Sequence, residues 1–360
     1  MNYIQLSPCC VGTHGIDSGA VGMGNRRKLL DSGRKRQALH VFLVGITLVL
    51  VESCNRTAPF EIALIPRTAG MGLWEPEHRG ADAAATKIGA RIYWNAPTRE
   101  DDVEGQIALI DQVVNRGYQG LVIAPDQALA LITPVRRALA RKIPTVIVSS
   151  PLPIPPGDKL FYVLNDDEAA GRMAAQRVAQ LLHGRGFVIV LGVNPDIAGI
   201  MIRARSFELY LTENYRNVRI AKRRGSFNAV HEQQTVEEVL KSNPKVDAIV
   251  GLMWPSTRGA LTAVRALPNP DAVKVIGFDP DGAPLPFDIP NLDSVVMQDT
   301  EAMGEKAVEL VAAALSGRDA PRSVKFPPTL VTRDNINDPT IRQLIWMDWK
   351  VFPEDAVVIR

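Results

Sequence analysis

Cysteine is almost missing from this sequence: of 360 residues only Cys9, Cys10 and Cys54 are cysteines, and all three fall in the first 54. No disulfide framework can form beyond that point, so the rest of the chain must hold itself together with an apolar core. Histidine is also sparse. The five (His14, His40, His78, His183, His231) are scattered with no His-x-x-x-His pair, and no metal site is expected. There is no Gly-Lys-Ser/Thr phosphate loop and no Gly-x-Ser-x-Gly elbow. The stretch Gly70-Met71-Gly72-Leu73-Trp74-Glu75 follows a strand, but Glu75 stands where a dinucleotide loop needs a third glycine, and its charge would face the pyrophosphate. Nothing pairs a nucleophile with a base. No catalytic residue and no cofactor are expected, and the chain is read as not an enzyme. An excess of one charge is lacking too. Of 41 basic and 39 acidic residues, six and three precede Cys54, leaving 35 against 36 in the body. Such a body has no general drive toward nucleic acid, and Lys222-Arg223-Arg224 is short enough to be a solvated edge. Finally, there is no long hydrophobic run: the longest near the start, Val41–Val51, is about half of the roughly 20 residues that a spanning helix needs.

That run has a context. Arg26-Arg27-Lys28 and Arg34-Lys35-Arg36 precede it, and Glu52-Ser53-Cys54 follows. A basic region, a short apolar region and a small residue before the break are the parts of a secretory signal. Val51-Glu52-Ser53-Cys54 resembles a bacterial lipobox, with Glu52 as a departure. The resemblance implies that Cys54 is lipidated and becomes the first residue of the mature protein. Residues 1–53 are therefore read as a cytoplasmic start and lipoprotein signal peptide, with Met23 as an alternative start, and residues 54–60 as a linker. A noncleaved anchor is the competing reading.

The body repeats itself. Glu61–Ile65 reads as a strand closed by Pro66, 77–88 as a helix and Ala90–Trp94 as a strand. Asp101-Asp102 opens a helix that Gly117 ends. Leu121–Ile123 is a third strand, 127–141 a helix and Thr145–Val148 a fourth strand. The alternation then restarts: Phe187–Leu191, a helix over 198–214, Val218–Ala221, a helix over 230–242, Ala248–Val250, a helix over 256–266, and Val273–Phe278. Corresponding elements lie about 127 residues apart, as Ile92 and Ile220 or Val122 and Ile249 do. The expected fold is α/β, two doubly wound parallel-sheet lobes. A late strand at Ser294–Gln298 and a helix ending at Gly317 exceed what the second lobe needs. Sending that helix back to the first lobe makes the chain cross repeatedly, a multi-strand hinge. The resulting division is 61–165 plus 298–326 for the N-terminal lobe, 166–297 for the C-terminal lobe, and 327–360 for a C-terminal strand and tail.

From Glu61 to about Asn335 the sequence resembles a type I periplasmic binding protein of the ribose/galactose kind, a fold shared with the effector domains of lactose-type repressors. The segments that carry this are Gly117–Pro125, Ile143-Pro144-Thr145-Val146, Asn165-Asp166, Arg203-Ala204-Arg205, Gly259-Ala260 with Arg265-Ala266-Leu267, and Val275–Asp279. The resemblance implies a cleft at the carboxyl ends of the strands that closes on a small polar ligand, a monosaccharide or related solute. It implies ligand contacts from Trp74, Asp126, Arg203, Trp254, Asp279 and Gln298, with Asp166 at the hinge or on the ligand. Two family positions differ: an arginine falls at Ser149-Ser150, and an asparagine–aspartate pair at Met253-Trp254. Two polar positions are lost and an aromatic gained, which argues against ribose itself. The implied setting is the periplasm or the outer membrane face, lipid-anchored, with an ABC permease as partner. A receptor for a sensor kinase or chemoreceptor, or an enzyme in the same cleft, is the alternative. A transcription regulator would need a helix-turn-helix where the export segment stands.

Overall fold

In the computed structural model, residues 60–69, 72–243, 245–279, 287 and 289–345 are described, and all of them belong to one compact unit, Pro59–Arg360. The signal segment with Cys54, and the tail with Trp346 and Trp349, lie outside the described residues. The elements are β1 (Glu61–Ile65), α1 (Glu75–Lys87), β2 (Arg91–Trp94), α2 (Val103–Arg116), β3 (Gly120–Ile123), α3 (Ile132–Ala140), β4 (Thr145–Ser149) and β5 (Leu160–Asn165). There follow α4 (Asp167–Leu181), β6 (Arg185–Val193), α5 (Ala198–Asn214), β7 (Asn217–Arg224), α6 (Ala229–Ser242), β8 (Ala248–Gly251), α7 (Trp254–Arg265) and β9 (Lys274–Phe278). Last come β10 (Leu292–Met297), α8 (Thr300–Leu315), β11 (Ser323–Phe326), β12 (Thr329–Thr332) and α9 (Pro339–Ile345).

Two sheets form, in the orders β11-β5-β4-β3-β1-β2 and β12-β10-β9-β8-β6-β7. Five neighbouring strands of one, β5-β4-β3-β1-β2, correspond to five of the other, β10-β9-β8-β6-β7, shifted by five in the chain. All pairings are parallel except β10 with β12. The physical cause is visible along β1. Its side chains alternate, Ile62 and Leu64 to one apolar cluster and Ala63 and Ile65 to another. A strand that is apolar on both faces must be covered on both, which parallel crossover helices do. In β6, Val188 and Val190 face one cluster while Ile189 and Leu191 face the other. Each sheet thus has a core on each face among the described residues.

The boundaries follow local chemistry. Asp102 caps α2, its Oδ1 accepting from Gly105 N at 2.9 Å, and Gly117 ends that helix at φ 80°. The α3 helix starts at Ile132 and not at 127, because residues 127–131 form a bend and turns first. The β7 strand runs on through Lys222, Arg223 and Arg224: it is a sheet edge, where charged side chains reach water.

The chain passes between the sheets at three places: β5 to α4, β10 to α8, and β11 to β12. Asp166 stands at the first and caps α4, accepting from Ala169 N at 2.9 Å; Asp299 stands at the second and caps α8, accepting from Ala302 N at 3.0 Å. The Asp166 N–H donates to Phe326 O at 2.9 Å, which ties the first passage to the third.

Candidate functional site

The strand ends that point the same way carry the polar residues. On the first sheet, β1 leads into Arg67 and Thr68, β3 into Asp126, β4 into Ser149 and Ser150, and β5 ends at Asn165. On the second, β6 leads into Asn194, β9 into Asp279, and β10 into Gln298. All of these except Gln298 are buried, although strand-to-helix loops normally run over the surface. Ser149 and Asp279 end corresponding strands, β4 and β9, and both adopt left-handed backbone, φ 65° and 47°. Non-glycine residues rarely do so.

Direct hydrogen bonds join the two sets of tips. Gly199 N donates to Ser150 Oγ at 2.9 Å, Ala128 N donates to Asp196 O at 2.9 Å, and Gln127 Nε2 donates to Asp196 Oδ1 at 3.2 Å. A cleft of about 640 Å³ opens between them, lined from one side by Thr68 and Glu100 and from the other by Phe227, Trp254 and Arg258.

On the second sheet's side the centre is Arg203. It is buried, donates from Nε to Asp167 and from one terminal nitrogen to Asp279 and to Leu252 O, and lies 4.9 Å from the Phe278 ring centre. Burial works against its charge, but Asp279 and Asp167 outweigh it and hold its pKa above the usual value. Burial also pushes the Asp167 carboxyl up, opposed by Arg203. On the first sheet's side the centre is Arg67. Its guanidinium sits 4.8 Å from the Trp74 ring centre and 3.8 Å from Glu100, and its charge acts on Glu77 and Asp126. Asp126 is 4% exposed, and burial pushes its carboxyl up to about 7 against the pull of Arg67. Arg67 also lowers Asp167 across the cleft, and Asp196 raises Asp126 from the other side, so the tips are within electrostatic reach of one another.

The sequence-predicted residues divide. Asp126, Arg203, Asp279 and Gln298 stand at the tips, and Trp254 lines the cleft at 7% exposure. Arg203 is paired with carboxylates of other elements, not of its own helix. Asp166 is a helix cap at a chain passage. Trp74 is corrected: at 0% exposure it has no surface to give a guest, it belongs to the apolar cluster under α1 and α8, and its Nε1 donates to Glu100 at 3.3 Å. It carries Arg67 instead. Sequence reasoning missed Arg67, Glu100, Asn165, Asp167 and Phe227. For Arg67 the signal was present, since it is the first charged residue after β1; Asp167 and Glu100 lie in acidic runs that capping alone would explain.

Buried polar atoms without a hydrogen-bond partner in the protein are found at these tips: Arg67 Nε, Asp126 Oδ2, Asn165 Oδ1, Asp279 Oδ1 and Gln298 Oε1. Buried polar groups are ordinarily satisfied, and such a concentration at facing strand ends marks a surface built for polar contacts. Among the described residues no group of acidic, histidine or cysteine side chains could hold a metal.

Paired doubly wound sheets with polar tips opposed across a cleft define a two-lobed solute-binding protein. The model of the periplasmic binding protein domain matches residues 62–319, and the chain belongs to that family. A xylitol-binding protein of Mycolicibacterium smegmatis is 25% identical over 72% of this chain and 73% of its own length. A ribose import binding protein of Bacillus subtilis is 23% identical over 83% of this chain and 99% of its own. Among solved structures, an ABC transporter solute-binding protein of Agrobacterium vitis with bound D-fucose is 26% identical, with a TM-score of 0.74 over 79% of this chain and all of its own. The fold is that of a type I periplasmic binding protein. Membership makes the chain an extracytoplasmic binding protein and not an enzyme.

Proposed function

We propose that the chain captures a sugar by closure of two lobes, 61–165 with 298–326 and 166–297, and delivers it to an ABC permease. The observation that supports this most is the set of polar atoms without hydrogen-bond partners on opposed strand tips, together with Trp254 in the lining of the cleft. Sugars present hydroxyl edges and apolar ring faces, and such a surface meets both. Asp126, Asp279 and Gln298 contact hydroxyls, with Arg67 and Asn165 beside them. Trp254 stacks, and Arg203 holds Asp279 in place. The passages near Asp166 and Gln298 and at 327–328 act as the hinge. The names of the relatives, binders of xylitol and ribose, support the same class. Cys54 anchors the protein to the membrane as its lipidated first residue.

A thermal-shift screen over monosaccharides and polyols tests the reading. At least one raises the melting temperature, and Asp279→Ala and Trp254→Ala each abolish the rise; no stabilisation by any of them contradicts it. The anchor has its own test: labelled palmitate enters the wild-type protein in bacteria and not Cys54→Ala, and equal labelling rules the site out.

A further inference from the structure

Among the described residues, all the aromatic surface in the cleft lining comes from one side. Phe227 and Trp254 line it from the second sheet, whereas the first sheet brings Thr68, Ala69 and residues 98–101, and Trp74 is withdrawn into the core. Phe227 sits in the loop 225–228 between β7 and α6, and that loop is fastened at both ends. Gly225 N donates to Val193 O at 3.0 Å, and a Cβ on Gly225 would overlap the Gly192 backbone and the tip of Met253. Asn228 caps α6, its Oδ1 accepting from Val230 N at 2.9 Å and from His231 N at 3.3 Å. Between these, Ser226 N donates to Oε1 of Glu232. Glu232 is 1% exposed, and its Oε2 has no hydrogen-bond partner. Its charge suits the first turn of α6, but an exposed acid would serve equally there, and Asn228 already caps the helix. Glu232 instead reaches back past the cap to the residue before Phe227. Burying a carboxylate for one hydrogen bond is costly, and the bond it makes fixes the backbone next to Phe227. A Cβ on Gly259 of α7 would overlap Cβ of Glu232 and Gln233 N, so the residue that fixes Phe227 is packed on the helix that begins at Trp254.

We propose that Glu232 is a positioning residue for ligand binding: through the Ser226 N–H it holds Phe227 in the cleft wall that Trp254 also forms. The inference rests on the sugar reading above. Without the Glu232 acceptor, a buried N–H loses its partner, and the loop shifts to satisfy it elsewhere and takes Phe227 along. A ligand must then order the loop as it binds, and that ordering is subtracted from its affinity. No aromatic on the opposite side of the cleft makes up the lost contact with the ring face of the sugar.

The test uses the full chain in detergent and calorimetry at neutral pH, with the tightest binder from a screen of monosaccharides and polyols that includes xylitol, D-ribose and D-fucose. Glu232→Leu, similar in volume and without an acceptor, should bind that probe about tenfold more weakly. Glu232→Gln should return the affinity to within about threefold of wild type, because its amide oxygen can accept from Ser226 N while its nitrogen takes the place of Oε2. Glu232→Asp keeps the charge but is too short to reach Ser226, so it should behave as Glu232→Leu does, and it gives the same reading if the leucine variant does not fold. A cycle with Phe227→Ala separates this role from a general loss of structure: in that background Glu232→Leu should weaken binding by less than about twofold. Wild-type affinity in Glu232→Leu and Glu232→Asp, or a Glu232→Gln as weak as Glu232→Leu, overturns the inference and leaves the sugar reading standing. A loss that persists undiminished with Phe227→Ala overturns the route through Phe227. A screen with no binder overturns the sugar reading and this inference with it.

Discussion

Glu77 on α1 shows what burial does to a single charge here. It is fully buried, neither carboxylate oxygen has a protein partner, and burial pushes its pKa up to about 8 although Arg67 pulls the other way. The unfolded chain releases this proton near the ordinary value of 4.5, whereas the folded chain keeps it to about 8. Folding therefore binds a proton between those values, and stability from this group is full below 4.5 and falls as pH rises to 8. Asp126 adds the same sign between 3.8 and about 7 in the unliganded protein. Glu77→Gln should flatten the fall in melting temperature between pH 5 and 8 and gain on the order of 2 kcal/mol at pH 8. A fall as steep as wild type would show that the carboxyl is not buried as described. At this scale the sequence was informative about positions and poor about partners. Asp279 was legible because a charged residue at a strand end is conspicuous, and Arg203, on α5, because Arg203-Ala204-Arg205 is one of the segments that carry the family resemblance, but Asp167, 36 residues from Arg203 in the chain, becomes its partner only through the fold. Trp74 misled for a related reason: an aromatic after a strand has the same sequence signature whether it stacks on a guest or supports an arginine.

Among elements, the helices beside the passages matter most, because they fix how each lobe receives the returning chain. The α1 and α8 helices cross at reciprocal glycines. A Cβ on Gly80 would overlap the Glu301 carbonyl, and one on Gly304 would overlap the Glu77 carbonyl. Alanine gains about 1 kcal/mol in helix propensity, but backbone carbonyls do not yield as side-chain ends do, so the overlap decides the sign. Gly304→Ala should lose about 2 kcal/mol or more by denaturant unfolding, while Gly157→Ala, with open space around its Cβ, should stay within about 0.5 kcal/mol. Equal effects at the two sites would contradict the close crossing. Most core elements were legible, since both-face apolar runs and capped amphipathic stretches have strong periodicity. The β5 strand and α4 were not resolved as separate elements: Leu160–Asn165 follows a Pro- and Gly-containing turn, and α4 has a small, Ala-rich buried face. The edge strands β11 and β12 are four residues each and half-buried, too short to carry a period.

At the scale of the whole molecule, the two halves were legible because their elements recur at a near-constant spacing. Their closure was not, since it depends on loops from different halves meeting. Ser150 with Gly199, and Gln127 and Ala128 with Asp196, bind tip to tip without any guest between them. Such contacts favour the closed form, and a ligand held by both sets of tips shifts the equilibrium further toward it. The most direct measurement of that claim is a spin-label distance between the two walls of the cleft, at Arg99→Cys and Val230→Cys. The chain from Asn55 onward has no cysteine of its own to interfere. A sugar that calorimetry shows to bind should shorten the distance and narrow its distribution. An unchanged distribution with that sugar bound would contradict closure of the lobes around it.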